Sequence, residues 1–165
     1  MTEAGGATAR LEHGVHAAAK STHVKEQREE TRRSTLVAGS VALAALPAWA
    51  AFDWLMVPSE APRFLVVRLS SVVSLSLLCL TLWRLPVGRR HPEALSLSAV
   101  AVVEVAIAWM VPRVGGQLEP YLLGMSLGIY ATAFLVVWRW RMGVALGVIT
   151  AAAVTVFSLT APTGL

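Results

Sequence analysis

One apolar stretch, FLVVRLSSVVSLSLLCLTLW at residues 64–83, limits what this chain can fold into. A helix of roughly 20 residues is about 30 Å long, which matches the hydrocarbon core of a bilayer. The stretch contains a single charged residue, Arg68, near its beginning. Its length and composition therefore predict a transmembrane helix that carries an arginine into the lipid.

The composition of the whole chain is typical of a multi-span membrane protein. Of the 165 residues, 56% are hydrophobic and 15% are charged, and the mean hydropathy is +0.63. Soluble domains contain about 25% charged residues. The net charge of +4 does not indicate nucleic-acid binding, because the basic residues stand beside the apolar stretches. We therefore expect an all-α fold, a polytopic transmembrane helix bundle of about five spans.

Two regions follow from the distribution of charge along the chain. Residues 1–34 form a polar tail, predicted to be cytoplasmic and partly disordered, with a short solvated helix at residues 20–33. Residues 35–165 form the predicted transmembrane bundle. Its spans are expected at about residues 35–52, 64–83, 94–111, 121–138 and 142–160. Pro47 should kink the first of them.

The orientation follows from lysine and arginine beside the spans, because cytoplasmic loops carry an excess of both. One side holds only Arg63 and Arg113. The basic residues on the other side are Lys25, Arg28, Arg32, Arg33, Arg84, Arg89, Arg90, Arg139 and Arg141. We therefore expect a cytoplasmic N-terminus and a C-terminus outside. Tryptophans at both predicted interfaces agree with this topology.

The first span has a second interpretation. Arg32 and Arg33, followed by an apolar run and the sequence Ala48-Trp49-Ala50, are also similar to a twin-arginine signal with a cleavage site. The polar segment before the arginines is long for such a signal, and the rest of the chain is itself suited to a membrane. We favour an uncleaved span with the two arginines as its cytoplasmic anchors.

Three ionisable residues form the candidate site: Asp53, Arg68 and Glu104. A charge at mid-membrane costs about 2.5–3.5 kcal/mol on translocon-based scales, so it rarely faces lipid unpaired. Arg68 would lie roughly 7 Å and Glu104 roughly 10 Å below the outer ends of their spans. Because Asp53 ends the first span on the same side, we expect Arg68 to pair with Glu104, with Asp53 at the rim. Such a network would fix helix register, sense a ligand or ion, or relay protons.

Rows of small residues predict close helix packing. Gly124 and Gly128 stand one helical turn apart, as do Gly143 and Gly147. Small-x3-small rows let two helices approach closely in a membrane. We favour packing between the last two predicted spans within one molecule, with dimerisation as the alternative.

No residue pattern indicates catalysis. The chain has no Ser/His/Asp arrangement, Gly-rich phosphate loop or carboxylate pair at catalytic spacing. Cys79 is the only cysteine, and the histidines of the tail lack further ligands at metal spacing. We therefore expect no catalytic residues, no metal, no cofactor and no enzyme activity.

The stretch AFDWLMVPSEAPRFLVVRLSSVVSLSLLCL resembles the start of the multi-span N-terminal sensor regions of bacterial histidine kinases and nucleotide cyclases. There, a first span ends in Phe/Leu-Asp, and a short loop with proline leads to a second span with arginine. Asp53 and Arg68 stand at the matching positions. Those regions usually have six spans before a kinase or cyclase domain, whereas five are predicted here and no output motif follows. The chain is either part of a larger or truncated signalling gene or a free-standing relative.

These features together predict an integral membrane sensor or anchor module of a bacterial signal-transduction protein, in the inner (plasma) membrane. The alternatives are a small transporter or channel subunit and a structural membrane scaffold. A polar path across both leaflets would favour transport, and a dry buried pair would favour a scaffold. A water-accessible cavity lined by Arg68 and Glu104 would favour sensing. The expected partners are membrane lipids, a second copy or a signalling protein, and a small or lipophilic ligand, but not nucleic acid.

Overall fold

The computed structural model describes residues 3–114, 121, 123, 124, 126, 128–130, 136 and 140–160, with side chains from residue 22 onward. Its elements are α1 (Glu3–Met56), α2 (Ala61–Arg84), α3 (Pro86–Arg90), α4 (Pro92–Met110), a 3-10 turn (Val111–Arg113) and α5 (Trp140–Thr160). All regular secondary structure in these residues is helical, which confirms the predicted all-α class.

Four helical segments in the described part of the chain are long and apolar enough to cross a membrane. They are Thr22–Met56 within α1, Ala61–Arg84, Pro92–Arg113 and Trp140–Thr160. Their most apolar 18-residue windows have a mean hydropathy of 1.7 in the first segment and 2.1 in the others. These segments contain four of the predicted spans. The remaining one, residues 121–138, falls largely outside the described residues, although Tyr121, Gly124 and Tyr130 are helical.

Helix α1 joins the polar tail and the first predicted span into one element. It begins at Glu3, long before the predicted start of that span at residue 35, and it includes Pro47. The polar part is rich in Ala, Glu, Lys and Arg, which favour helix. Glu29 accepts bonds from Arg32 at 3.4 Å and from Arg33 at 3.3 Å, and such pairs one turn apart add a little stability.

The helices expose apolar side chains and bury polar ones. The outer face of α2 is at least half exposed at each of Val66, Leu69, Val73, Leu77 and Leu80. Buried polar or charged residues include Asp53, Arg68, Ser71, Ser96 and Glu104. Soluble monomers rarely expose contiguous apolar patches above a few hundred Å². This distribution suits a bundle surrounded by lipid.

Helix α4 lies at the centre of the described bundle, because it packs against α1, α2 and α5. Two apolar clusters fill the contacts. One surrounds Phe64 and Tyr121, close to the connection between α1 and α2. The other contains Leu46, Leu75 and Ala99, one from each of the first three long helices. The core therefore runs along the inner faces of α1, α2 and α4.

At the end of the bundle away from the α1–α2 connection, polar contacts join α1 to both neighbours. Arg32 Nε donates to the carbonyl oxygen of Leu82 at 3.3 Å, near the C-terminus of α2, where the helix dipole favours a cation. Thr35 Oγ1 and Ser96 Oγ lie 2.8 Å apart in the buried contact between α1 and α4. These contacts fix α1 where its polar and apolar parts meet.

Arginines stack on tryptophans at the helix ends. The guanidinium carbon of Arg113 lies 3.8 Å from the ring centroid of Trp109, and that of Arg84 lies 4.2 Å from the ring of Trp83. Such side chains present an apolar body and a polar tip, which is the combination favoured at a membrane interface.

The turn from α2 to α3 depends on a glycine, and this gives a first prediction. A Cβ at Gly88 would lie 2.6 Å from Leu82 Cα and 2.6 Å from the carbonyl oxygen of Thr81, both backbone atoms. We expect Gly88→Ala to lower the free energy of unfolding by about 1–3 kcal/mol, measured by reversible unfolding in mixed micelles.

Gly143→Ala is the matched control, because no described atom lies within 4 Å of the position that its Cβ would take. It should leave the free energy of unfolding within about 0.5 kcal/mol of the original value. Equal losses in the two variants would contradict the close backbone approach at Gly88.

Candidate functional site

A buried ion pair joins the end of α1 to the beginning of α2. Arg68 Nε lies 2.5 Å from Asp53 Oδ2, and Nη2 donates to Oδ1 at 2.9 Å. The side chains are 5% and 1% exposed, respectively. Two parallel bonds between a guanidinium and a carboxylate are among the strongest charge-assisted pairs. Each group compensates the charge of the other in a place where either alone would be costly.

Tyr121 adds a third segment of the chain to this pair. Its hydroxyl donates to Asp53 Oδ1 at 2.7 Å, and the residue is only 2% exposed. Phe64 packs edge-on against Tyr121 and Trp109, with ring centroids 5.9 and 6.3 Å apart. Because Phe64 precedes Arg68 by one helical turn, this aromatic cluster covers the ion pair on the side of the α1–α2 connection.

The partner of Arg68 differs from the predicted one. The sequence led us to expect an Arg68–Glu104 pair with Asp53 at the rim, whereas in the structure Asp53 holds the guanidinium with both oxygens. The connection at residues 57–60 is short, so it places the last turn of α1 directly beside the first turns of α2. The depths of the three residues in the membrane would allow Arg68 to pair with either Asp53 or Glu104. The rotation of the helices about their axes determines that Arg68 faces Asp53.

Glu104 lies apart from that network, on α4. It is 1% exposed, and neither carboxyl oxygen has a hydrogen-bond partner among the described residues. Buried polar groups are nearly always hydrogen-bonded, and a buried charge without a partner is costlier still. Glu104 is therefore the group of the candidate site with unused bonding capacity.

Gly128 makes the room that the carboxyl of Glu104 occupies. A Cβ at Gly128 would lie 2.7 Å from Glu104 Oε1, well inside contact distance. At Gly124, one turn earlier, a Cβ would meet Trp49 Cζ2 at an ordinary 3.4 Å. The described contacts of this glycine row are thus with α4 and α1. At Gly143 and Gly147 no described atom lies within 4 Å of the position that a Cβ would take, so no contact between the two rows is observed.

Glu104 adjoins a cavity of about 270 Å³ between α1, α2, α4 and the described residues Tyr121, Gly124 and Gly128. Leu46, Trp49, Leu75 and Ile107 are among its many apolar lining residues. Its polar lining groups are Thr35, Arg68, Glu104 and Tyr121. An engineered cavity of about 150 Å³ in another protein accepts benzene, so this volume suits a somewhat larger small molecule.

Two parts of this arrangement were not predicted from the sequence. Tyr121 follows a loop at the predicted start of a span, where an aromatic residue is expected as an interface anchor, so nothing marked it as a partner of Asp53. In the sequence, Trp49 was noted only as the central residue of a possible cleavage site, Ala48-Trp49-Ala50. In the described part of the chain, no three His, Cys, Asp or Glu side chains lie close enough to hold a metal ion.

Comparison of the chain with known protein families, curated proteins and solved structures gave no match. The resemblance of residues 51–80 to sensor regions of kinases and cyclases therefore stays a prediction, and the functional argument depends on the geometry of the site.

The ion pair gives a second prediction. We expect Asp53→Leu and Arg68→Leu each to lower the free energy of unfolding by about 3–5 kcal/mol, because each leaves a buried charge unpaired. The double variant should lose less than the sum of the single losses, with a coupling of about 1–3 kcal/mol in mixed-micelle unfolding.

The matched cycle combines Arg68→Leu with Glu104→Leu. Its coupling should be clearly smaller than that of the first cycle, since Arg68 and Glu104 share the cavity but are not bonded to each other. Strong coupling in this second cycle, with additivity in the first, would restore the pairing expected from the sequence.

The contact of Gly128 with Glu104 gives a third prediction. Gly128→Ala should lower the free energy of unfolding by about 0.5–1.5 kcal/mol, because the added methyl group forces the flexible end of the Glu104 side chain out of its rotamer. Glu104→Ala should remove that loss when the two changes are combined. Gly124→Ala is the control, since its methyl group meets Trp49 at ordinary contact distance and should cost less. A loss at Gly128 that persists without the glutamate side chain would contradict the contact.

Proposed function

We propose that this chain is the sensor module of a bacterial inner-membrane signalling protein, and that a small lipophilic ligand binds in the cavity beside Glu104. The observation that supports the proposal is the cavity itself, which has mostly apolar walls and is lined by both Arg68 and Glu104. Ligand sites of this kind combine apolar walls with a few polar groups that orient the ligand.

A scaffold role explains only part of the site. The network of Asp53, Arg68 and Tyr121 is well bonded and would by itself hold helices together. Glu104 adds no bond between described residues, and a buried carboxyl without a partner lowers stability. Proteins keep such unfavourable groups mainly at functional sites. This residue therefore favours ligand binding over a purely structural role.

A transporter or channel subunit is the weaker candidate. Transport requires polar groups along the whole way across the membrane or broken helices near its middle. The charged lining groups of the cavity, Arg68 and Glu104, lie towards one end, and the wall between them and Thr35 is lined by residues such as Ala42, Leu46 and Val100.

We infer the rest of the arrangement from the charge pattern: five spans, a cytoplasmic N-terminus and an outside C-terminus. In this orientation Arg68 and Glu104 lie in the outer half of the membrane, and the cavity extends from them towards Thr35 on the cytoplasmic side. The polar part of α1 extends into the cytoplasm. Helix α1 contributes Trp49 to the cavity and Asp53 to the ion pair. A ligand that favours one position of α1 would thus change the position of its cytoplasmic end, where a partner signalling protein would bind.

Trp49 allows a direct test, and this is the fourth prediction. A brominated aromatic compound in the cavity should quench the fluorescence of Trp49, because bromine quenches on contact. In lipid nanodiscs, 4-bromobenzyl alcohol should quench the tryptophan fluorescence of the protein in a saturable way. The saturable part of the quenching should disappear in the variant Trp49→Phe.

Two further variants separate binding in the cavity from partitioning into lipid. Ala99→Leu adds bulk to the cavity wall and should abolish the saturable part. Ala152→Leu adds the same bulk at an exposed position of α5 and should leave it unchanged. Quenching that rises linearly and equally in all variants would contradict the proposal, because it would show only that the probe dissolves in the bilayer.

A further inference from the structure

The charges around the cavity do not balance. Arg68 is the positively charged residue among the described lining residues, and both of its bonds go to Asp53. Glu104 then remains as a second carboxyl with two oxygens that have no partner in the described part of the chain. A positively charged donor in the cavity would supply what Glu104 lacks, because a buried carboxyl is stabilised by pairing and hydrogen bonding together.

We propose that the ligand of this cavity is a lipophilic primary or secondary amine whose ammonium group binds the carboxylate of Glu104. The proposal depends on the function proposed above and adds the chemical class of the ligand. An ammonium with at least two N–H groups can donate to both Oε1 and Oε2, as a lysine ammonium does. A quaternary ammonium has the charge without these donors, so it fits the site less well.

The walls of the cavity determine the rest of the ligand. They offer aliphatic side chains such as Leu46 and Leu75, and one large aromatic ring, that of Trp49. Scaled from the cavity of about 150 Å³ that accepts benzene, a volume of 270 Å³ holds roughly eleven non-hydrogen atoms. This corresponds to one ammonium group on a single ring or a short alkyl chain. A dication would leave one charge facing apolar side chains, since Asp53 is already bonded to Arg68 and Tyr121.

The shape of the site supports direct contact with the carboxyl. Glu104 projects from the central helix α4, and its Oε1 occupies the space that a side chain at Gly128 would fill. The ring of Trp49 lies against Gly124, which precedes Gly128 by one helical turn. The carboxyl and the indole ring therefore border one cavity, which brings a charged end and an apolar end within reach of a single small molecule.

The fifth prediction compares two probes that differ in charge. In nanodiscs of phosphatidylcholine, which has no net charge, 4-bromobenzylamine should quench Trp49 with at least about tenfold higher affinity than 4-bromobenzyl alcohol, because hydrogen bonds to charged groups are the stronger ones. Its N,N,N-trimethyl derivative should bind at least about threefold more weakly than the primary amine, since it lacks N–H donors.

Variants then assign the preference to one residue. Glu104→Gln should lower the affinity for the amine by at least about tenfold and leave that for the alcohol within about twofold. Glu60→Gln is the matched control, because Glu60 lies in the connection between α1 and α2, outside the cavity, and pairs with Arg63 at 3.1 Å. It should change neither affinity. Comparison of the three probes on the unchanged protein tests the preference even if the Glu104 variant does not fold.

The outcomes distinguish this inference from the proposed function. Saturable binding of amine and alcohol with equal affinity, unaffected by Glu104→Gln, would overturn the amine and leave the lipophilic ligand site in place. Equal binding of the quaternary and primary amines would overturn the hydrogen-bonded geometry. Absence of saturable binding for every probe would overturn the amine and the proposed function together.

Discussion

The bidentate pair between Asp53 and Arg68 is the contact on which the other features of this bundle depend. Its two bonds leave little freedom for either helix to rotate, because both guanidinium nitrogens must face both carboxylate oxygens. With α2 held in this rotation, Val66 and Val73 face outward and Leu75 faces the core. The same rotation brings Gly39 of α1 against Cys79, where an added Cβ would lie 2.6 Å from the sulfur. One ion pair thus aligns two helices along much of their length.

Glu104 differs from this pair in what surrounds it rather than in its own chemistry. Asp53 accepts bonds from a cation and a phenol, whereas the oxygens of Glu104 lie beside a glycine and an apolar cavity. A charge inside the membrane costs about 2.5–3.5 kcal/mol, while a side-chain hydrogen bond between membrane helices contributes about 0.6 kcal/mol on average. A single neutral contact of this size therefore offsets only part of the cost, whereas a cation that binds the carboxyl directly would also compensate its charge.

The sequence was sufficient to predict the four long apolar helices of the described residues and the three ionisable groups of the site. It did not predict Tyr121, Trp49 or the contacts among these residues. Hydropathy and length identify a span such as residues 64–83, because every backbone polar group in lipid must be bonded within the helix. The cost of a buried charge identifies Arg68 and Glu104 for a similar reason. Partner choice depends on rotation, which changes by about 100° per residue along a helix. The depth of a residue in the membrane carries no information about the rotation of its helix. For this reason the sequence predicted Glu104 as the partner of Arg68, whereas the structure pairs Arg68 with Asp53.

Because Glu104 lies on α4, a ligand that binds it in the cavity would affect the position of this helix. Helix α4 packs against α1, α2 and α5, so any shift of α4 changes contacts with each of them. A ligand moves a two-state equilibrium from 1:99 to 99:1 only if it binds one state about 5.5 kcal/mol more tightly. Apolar contacts formed equally in both states contribute nothing to that difference. A bond to Glu104 that can form in only one position of α4 would contribute, since it exists in one state and is lost in the other.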